Sequence, residues 1–305
     1  MPNRKLGIAA AVMALSLLPG LALADIKVSL KLQGGWAYLQ TGDVNPGTQA
    51  FFDWGKIYFA PPSGGLIEGG YTAIHRGYEF GGDLIFELNS NIGIGIGAGY
   101  LQMSRNPPHF MMSIIDDPQG GGGATKYFTA GTKLNAIPIR VGLFLSLPAS
   151  RKIDFTAHAG ISYYLKAEYH ADWYAAVMGQ IPENPSQRLS TTAEKRTAPI
   201  GFQGGVGIEY NLIHSVAFFI EAQGRYARFR GFEGTSASEP SEWGGVLPSF
   251  SERGKLYYES VPMLPDAPRL IMVQSAPPAG PGGQPREAVV DFSGVSLQAG
   301  IRIHF

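Results

Sequence analysis

The residues of this 305-residue chain that could do chemistry are six histidines, scattered serines and a patterned set of charges. His158 and Ser162 look at first like a base and a nucleophile, and both fall on one face of an alternating segment. In an extended strand, however, four positions span about 13 Å, far beyond the reach a general base needs. His170 with a loop serine such as Ser190 is a second pairing, which nothing in the spacing favours. His75, His109 and His170 are loop or rim residues isolated in sequence, His214 lies in a short turn where solvated polar residues are ordinary, and His304, near the end of the chain, is expected to satisfy a neighbour or water. Asp116 and Asp117 lack the spaced oxygen ligands of a calcium loop. The glycine run at 120–123 is followed by no Lys-Ser/Thr pair and is not a phosphate cradle. No cofactor or metal is expected. The ordered signal lies in the charges: Lys27, Lys31, Arg140, Lys166, Arg225 and Arg302 against Glu79, Asp83, Glu87, Glu168, Glu209 and Glu221. Each falls on the polar face of a segment whose other face is apolar.

Those segments must be strands, because side chains alternate faces with period two only in extended chain. The clearest is the C-terminus, where Val295, Leu297, Ala299, Ile301, Ile303 and Phe305 alternate with Ser296, Gln298, Gly300, Arg302 and His304. Eight such segments occur, near 26–40, 78–88, 92–103, 137–147, 155–169, 200–210, 216–228 and 293–305. Each is long enough to supply the roughly 9 to 11 residues that cross a bilayer as a tilted strand. Short turn-rich connections at 89–91, 148–154 and 211–215 alternate with four gaps of 30 residues or more. Outward Trp36, Tyr38, Tyr78, Tyr100, Tyr169 and Tyr226 fall at the long-loop ends of their strands, with Tyr210 and Phe305 at the short-turn ends. Tyrosine and tryptophan collect in this way at lipid headgroups.

The start and the composition agree. Residues 1–24 read as a secretory signal: Arg4 and Lys5, an apolar run of 13 residues from Leu6 to Leu18, then Ala22-Leu23-Ala24, which predicts cleavage before Asp25. That run is too short to span a bilayer as a helix, which takes about 20 residues. Without Arg4 and Lys5 the chain carries 22 basic and 24 acidic residues, so nucleic acid is not the expected partner. There are no cysteines, so an exported chain must hold together by burial and strand pairing. The 41 glycines and 22 prolines suit strands, turns and long loops.

On these features the chain resembles the small eight-stranded outer-membrane β-barrels of Gram-negative bacteria, the group of the outer-membrane protein A transmembrane domain. The resemblance implies an all-β, antiparallel up-and-down barrel with short periplasmic turns and four long extracellular loops. It also implies a monomer in contact with outer-membrane lipid and lipopolysaccharide. In that family the barrel assembly machinery reads a terminal strand ending in Phe, which Val295, Leu297, Ile301, Ile303 and Phe305 match. No peptidoglycan-binding domain follows, so a link to the cell wall is not expected.

An eight-stranded barrel is just wide enough for its own side chains, so the six cations and six anions are expected as paired plugs. Inward Gly93, Gly95, Gly97 and Gly99 leave room for Arg140 to reach Glu87 or Asp83, unless they serve only to curve the wall. Pro138 predicts a rim or bulge, since it cannot donate to a ladder. The loops are the expected seat of function. The first, near 41–77, holds Phe51, Phe52, Trp54, Tyr58, Phe59 and Tyr71. The last holds Trp243, Phe250, Tyr257, Tyr258 and an extended stretch at 277–285. Short hairpins are expected for 56–59 with 66–71 and for 256–261 with 270–273, and one or two helical turns for 171–178. The reading is a non-enzymatic envelope or surface-recognition protein. The alternatives are a narrow gated pore and an outer-leaflet lipid-modifying enzyme.

Overall fold

The computed structural model describes residues 27–58, 67–105, 109–115, 124–179, 186–197, 199–240, 249–260, 269–275 and 285–305. The signal segment 1–24, Phe59, the 116–123 segment, Trp243 and nearly all of 277–285 lie outside the described residues. Among the described residues the chain is all-β with one helix. In order the elements are β1 (Lys27–Gly42), α1 (Val44–Tyr58), β2 (Ile67–Gly69), β3 (Arg76–Glu87), β4 (Ile92–Ser104), β5 (His109–Ile115), β6 (Ala124–Pro148) and β7 (Ile153–Gly179). There follow β8 (Ser186–Lys195), β9 (Ile200–Ile213), β10 (Val216–Tyr226), β11 (Arg228–Phe229), β12 (Phe232–Pro240), β13 (Phe250–Ser260), β14 (Arg269–Gln274), β15 (Arg286–Glu287) and β16 (Val290–His304).

All the described strands join one antiparallel sheet. The pairings run from β1 through β3, β4 and β6 to β7, then through β9, β10 and β16 back to β1. Each of these eight carries one of the alternating segments of the sequence, with ends that differ by one or two residues in β1, β3, β10 and β16. Their alternation sorts polar from apolar: Ile94, Ile96, Val141, Leu143, Ile161, Phe202, Val206, Ile208, Ile220 and Leu297 are exposed on the outside, while Ser29, Lys31, Glu79, Asp83, Arg140, Glu221 and Arg302 are buried within.

β6 and β7 run beyond this cycle. Past residue 133 toward its N-terminus β6 leaves β4 for β5, and β7 leaves β9 at Tyr163↔Ile200 for β8 at Glu168↔Glu194. β8 continues through β12 and β13 to β14. The segments expected as open loops are thus largely strand. Residues 171–178, expected as helical turns, continue β7, with Ala171 and Trp173 buried against β6 and paired to Thr132 and Ala130. The expected pairing of 256–261 with 270–273 is present as Leu256↔Val273 through Ser260↔Arg269.

The expected hairpin at 56–59 is replaced by α1. Val44, Gly47, Thr48 and Phe51 are buried at i, i+3, i+4 and i+7, the stripe of an amphipathic helix. Pro46 and Gly47 obscure it in sequence, but proline is tolerated in a first helical turn. Thr41 and Gly42, both at φ near +65° (66° and 64°), turn the chain from β1 into the helix. Gly47 is required where it stands, since a Cβ there would lie 2.7 Å from Ile271 Cγ2 on β14. α1 and β14 therefore close together over the charged interior, around a core of Phe51, Phe52, Phe128, Leu134, Tyr169, Trp173, Leu256, Ile271 and Val273.

Candidate functional site in the charged interior

The interior of the cycle is built in tiers. At the short-turn end the Arg302 guanidinium donates to Glu87 at 3.0 Å, Glu209 at 3.2 Å and Ser29 at 2.9 Å. His304 lies between the same two carboxylates, at 3.3 Å from Glu87 and 3.5 Å from Glu209. Register explains this: β1 and β16 pair Ser29 with His304 and Lys31 with Arg302, while β3 sets Glu87 beside Lys27.

The next tier is Lys31, Glu221 and His158. Lys31 Nζ is 2.5 Å from Glu221 Oε2 and 4.4 Å from the centre of the Phe219 ring, a cation over an aromatic face. His158 Nε2 is 3.0 Å from Glu221 Oε1, and its ring stacks on Phe144. His158 fits because Gly205 lies beneath it; a Cβ there would be 2.4 Å from Nε2. A cavity of about 130 Å³ opens between these two tiers, lined by Lys31, His158, Glu209, Glu221, Arg302 and His304 among others.

Above it Arg225 Nη2 binds Glu79 Oε2 at 2.5 Å, and Arg140 binds Asp83 at 3.2 Å with Glu79 at 3.9 Å. Arg140 thus reaches Asp83, not Glu87. Gly97 leaves the space, since a Cβ there would fall 1.9 Å from Asp83 Oδ1. A chain of amides flanks these pairs: Gln298 donates to Gln223, and Gln223 and Ser162 both donate to Gln203. Tyr164, Phe229 and Phe292 then pack as an aromatic layer between the charges and the core beneath α1.

Of the twelve charges expected inside, three are elsewhere. Lys27 is exposed at the start of β1. Exposed Lys166 and half-buried Glu168 form an ion pair at 2.8 Å outside the charged interior, and Tyr169, expected outward, is wholly buried. One bulge causes all three displacements on β7: Ile137 pairs with Lys166 and Pro138 with Tyr164, so Leu165 has no counterpart. One extra residue moves every later side chain to the other face. The other expected aromatics, Trp36, Tyr38, Tyr78, Tyr100, Tyr210 and Tyr226, are exposed on the outer face. So are Val295, Leu297 and Phe305, with Ile301 and Ile303 half-buried. Sequence reasoning missed the roles of His158 and the glutamines; the available signal was the inward parity of each beside a glycine-rich neighbouring strand.

The enzyme-like pairing does not assemble. Ser190 donates to Asp172 at 3.2 Å, whereas His170 Nδ1 lies 3.3 Å from Thr192 Oγ1. Arg188 forms a two-pronged pair with Asp172, whose carboxyl it holds below the usual range. Among the described residues no group of three His, Asp or Glu could hold a metal ion, and no helix is long and apolar enough to cross a membrane. On β13, burial and the nearby Glu252 push the Glu259 carboxyl up to about 7 despite a hydrogen bond from Gln274.

No protein-family model matches the chain, and no curated protein matches it.

Proposed function

We propose that the eight strands pairing in a cycle form a barrel that crosses the outer membrane of a Gram-negative bacterium, and that the folded long-loop end does the protein's work at the cell surface. The role is structural or recognitive, without enzymatic activity. The observation that carries this reading is the inversion of polarity: paired charges inside, a continuous apolar outside. Water would favour the reverse arrangement, whereas lipid against the outer face favours this one. On the segment from Leu88 to Tyr78, ten steps at about 3.3 Å and a tilt of about 40° give a band about 25 Å tall, the height of a bilayer's apolar core.

Export on residues 1–24, and assembly through the terminal strand ending in Phe305, complete the proposal. The protein works as a monomer among outer-membrane lipids and lipopolysaccharide. A sealed barrel is preferred to a pore because the aromatic layer of Tyr164, Phe229 and Phe292, then α1 and β14, lie over the paired charges.

The test uses residues 25–305 refolded into detergent and then planar bilayers. Heat-modifiable migration with electrical silence is expected. A chain soluble without detergent and showing no heat-modifiable band would overturn the membrane reading. Steady channel openings would leave the barrel standing and replace the recognition role with a pore.

A further inference from the structure

The cavity between the two lower tiers of the interior holds more negative charge than its walls answer. Its lining reaches the exposed turn at Asn89 and Ser90, so it opens at the short-turn end. Four carboxylates border it, those of Glu87, Asp154, Glu209 and Glu221. Lys31 is committed to Glu221, and Arg302 to Glu87 and Glu209. His304, with one ring nitrogen toward each of the latter two carboxylates, supplies at most a third positive charge. Half-buried Asp154 accepts from the Asn211 amide at 2.9 Å and has no cation within ion-pair distance among the described residues. One negative charge is left over in a confined space, where carboxylates are ordinarily paired.

Polar groups without partners border the same space. The His158 side chain is only 7% exposed; its Nε2 lies 3.0 Å from Glu221 Oε1, yet the two are not aligned for a hydrogen bond and neither atom has another partner. The hydroxyls of Ser146 and Thr156, opposite one another in register on β6 and β7, have no hydrogen-bond partner among the described residues. Gly205 and Gly207 of β9, opposite His158 and Thr156, keep the space clear: a Cβ at Gly207 would come within 3.0 Å of Thr156 Oγ1. A surplus negative charge among free acceptors, walled on one side by Phe144 and Phe219, matches a cation that donates several hydrogen bonds and carries a short carbon chain. A bare metal ion does not fit, since no three His, Asp or Glu side chains converge to ligate one among the described residues. The volume of about 130 Å³ well exceeds the roughly 10–15 Å³ that one water needs and admits a molecule of about four to six heavy atoms.

We propose that this cavity binds a small primary ammonium ion entering from the short-turn side. Asp154, Thr156 and Ser146 surround the ammonium group, and His158 with Glu221 meets the ligand at the closed end. The site belongs to the enclosed interior, so it does not depend on what surrounds the outer face.

The experiment uses residues 25–305 refolded in a neutral sugar-headgroup detergent, with ring-labelled histidine, at constant pH and ionic strength. Ethanolamine, ethylene glycol and tetramethylammonium are titrated in turn, and the shift of the His158 ring signals is read. Ethanolamine should give a saturable shift with half-saturation near about 1 mM, a range open to so small a ligand. Ethylene glycol, which lacks the charge, and tetramethylammonium, which lacks the N–H donors, should not saturate. Ser146→Trp, which fills the space without touching an ion pair, and Asp154→Asn should each weaken ethanolamine by about tenfold or more. Thr235→Trp on the exposed face of β12 should bind as wild type. Each variant is first shown to be folded by its heat-modifiable migration, and Asp154→Asn carries the test if the bulkier Ser146→Trp does not fold. No saturable shift with ethanolamine, an equal response to either control solute, or wild-type affinity in the folded cavity variants overturns the site.

Discussion

Arg225 and Glu79, 146 positions apart, meet at 2.5 Å on β10 and β3, both almost wholly removed from solvent. The pair lies where the charged tiers meet the aromatic layer. Arg140 approaches the other oxygen of Glu79 at 3.9 Å, so one carboxylate serves two guanidinium groups. Removing one partner leaves a buried charge uncompensated, at a cost of about 3–5 kcal/mol. Glu79→Gln and Arg225→Met should each destabilise the folded chain by roughly that amount. The double variant should lose much less than the sum of the two. Urea unfolding of all four proteins checks this, and simple additivity would show that the two side chains are not coupled.

The glycines of β4 differ in what they permit. Gly97 lies beneath Asp83, whereas a Cβ at Gly99 would meet nothing closer than 3.4 Å. Gly97→Ala should therefore push Asp83 away from Arg140 and destabilise by about 1–3 kcal/mol. Gly99→Ala should change stability by much less. Equal effects at the two positions would mean that the glycines serve wall curvature and not side-chain room.

The folded long-loop end should lose stability as pH rises. Glu259 is held near pH 7 by burial and by Glu252, above the ordinary carboxylate value of 4.5. Because the folded state keeps the proton more firmly than the unfolded state, the contribution is complete below about pH 4.5 and is lost as pH rises through about 7. Hydrogen exchange of β13 and β14 amides should show faster opening at pH 8 than at pH 5. Glu259→Gln should flatten that difference; an unchanged pH profile in the variant would assign the effect to another group.

Asp43 ties the start of α1 to β15. Its carboxylate accepts from Arg286 at 2.6 and 2.7 Å and from the Val289 amide at 2.7 Å, while the Arg286 guanidinium lies over the Tyr258 ring. Asp43→Ala leaves a buried backbone donor unmatched and should cost about 1–3 kcal/mol. Arg286→Ala removes a partly exposed cation and should cost about 1 kcal/mol or less. Limited proteolysis within α1 would rank the two, and a greater sensitivity in Arg286→Ala would show that the ion pair outweighs the amide bond.

The strands of the cycle are legible because their pattern is local. Ile92, Ile94 and Ile96 alternating with glycine, or Leu297 with Gln298, reveal a two-faced strand without any knowledge of its neighbours. Most inward charges follow from the same parity. The folded long-loop end was hidden, since Phe51 and Phe52 read as loop aromatics behind Pro46 and Gly47, and Ala171 to Met178 carry no clean alternation. Their order comes from packing: α1 on Ile271, and upper β7 on upper β6.

The sequence alone therefore determined where the eight strands of the cycle run, which face of each is apolar up to the bulge on β7, and that opposite charges share the polar face, because period two is written into consecutive residues. Only the tertiary structure decided the partners. Lys31 meets Glu221, not the Asp83 beside it in register, and His158 joins them, because these choices depend on how side chains cross the enclosed interior. It also decided the fate of Lys166, Glu168 and Tyr169, since a proline that cannot donate to the ladder sits at a bulge that reverses the face of everything after it.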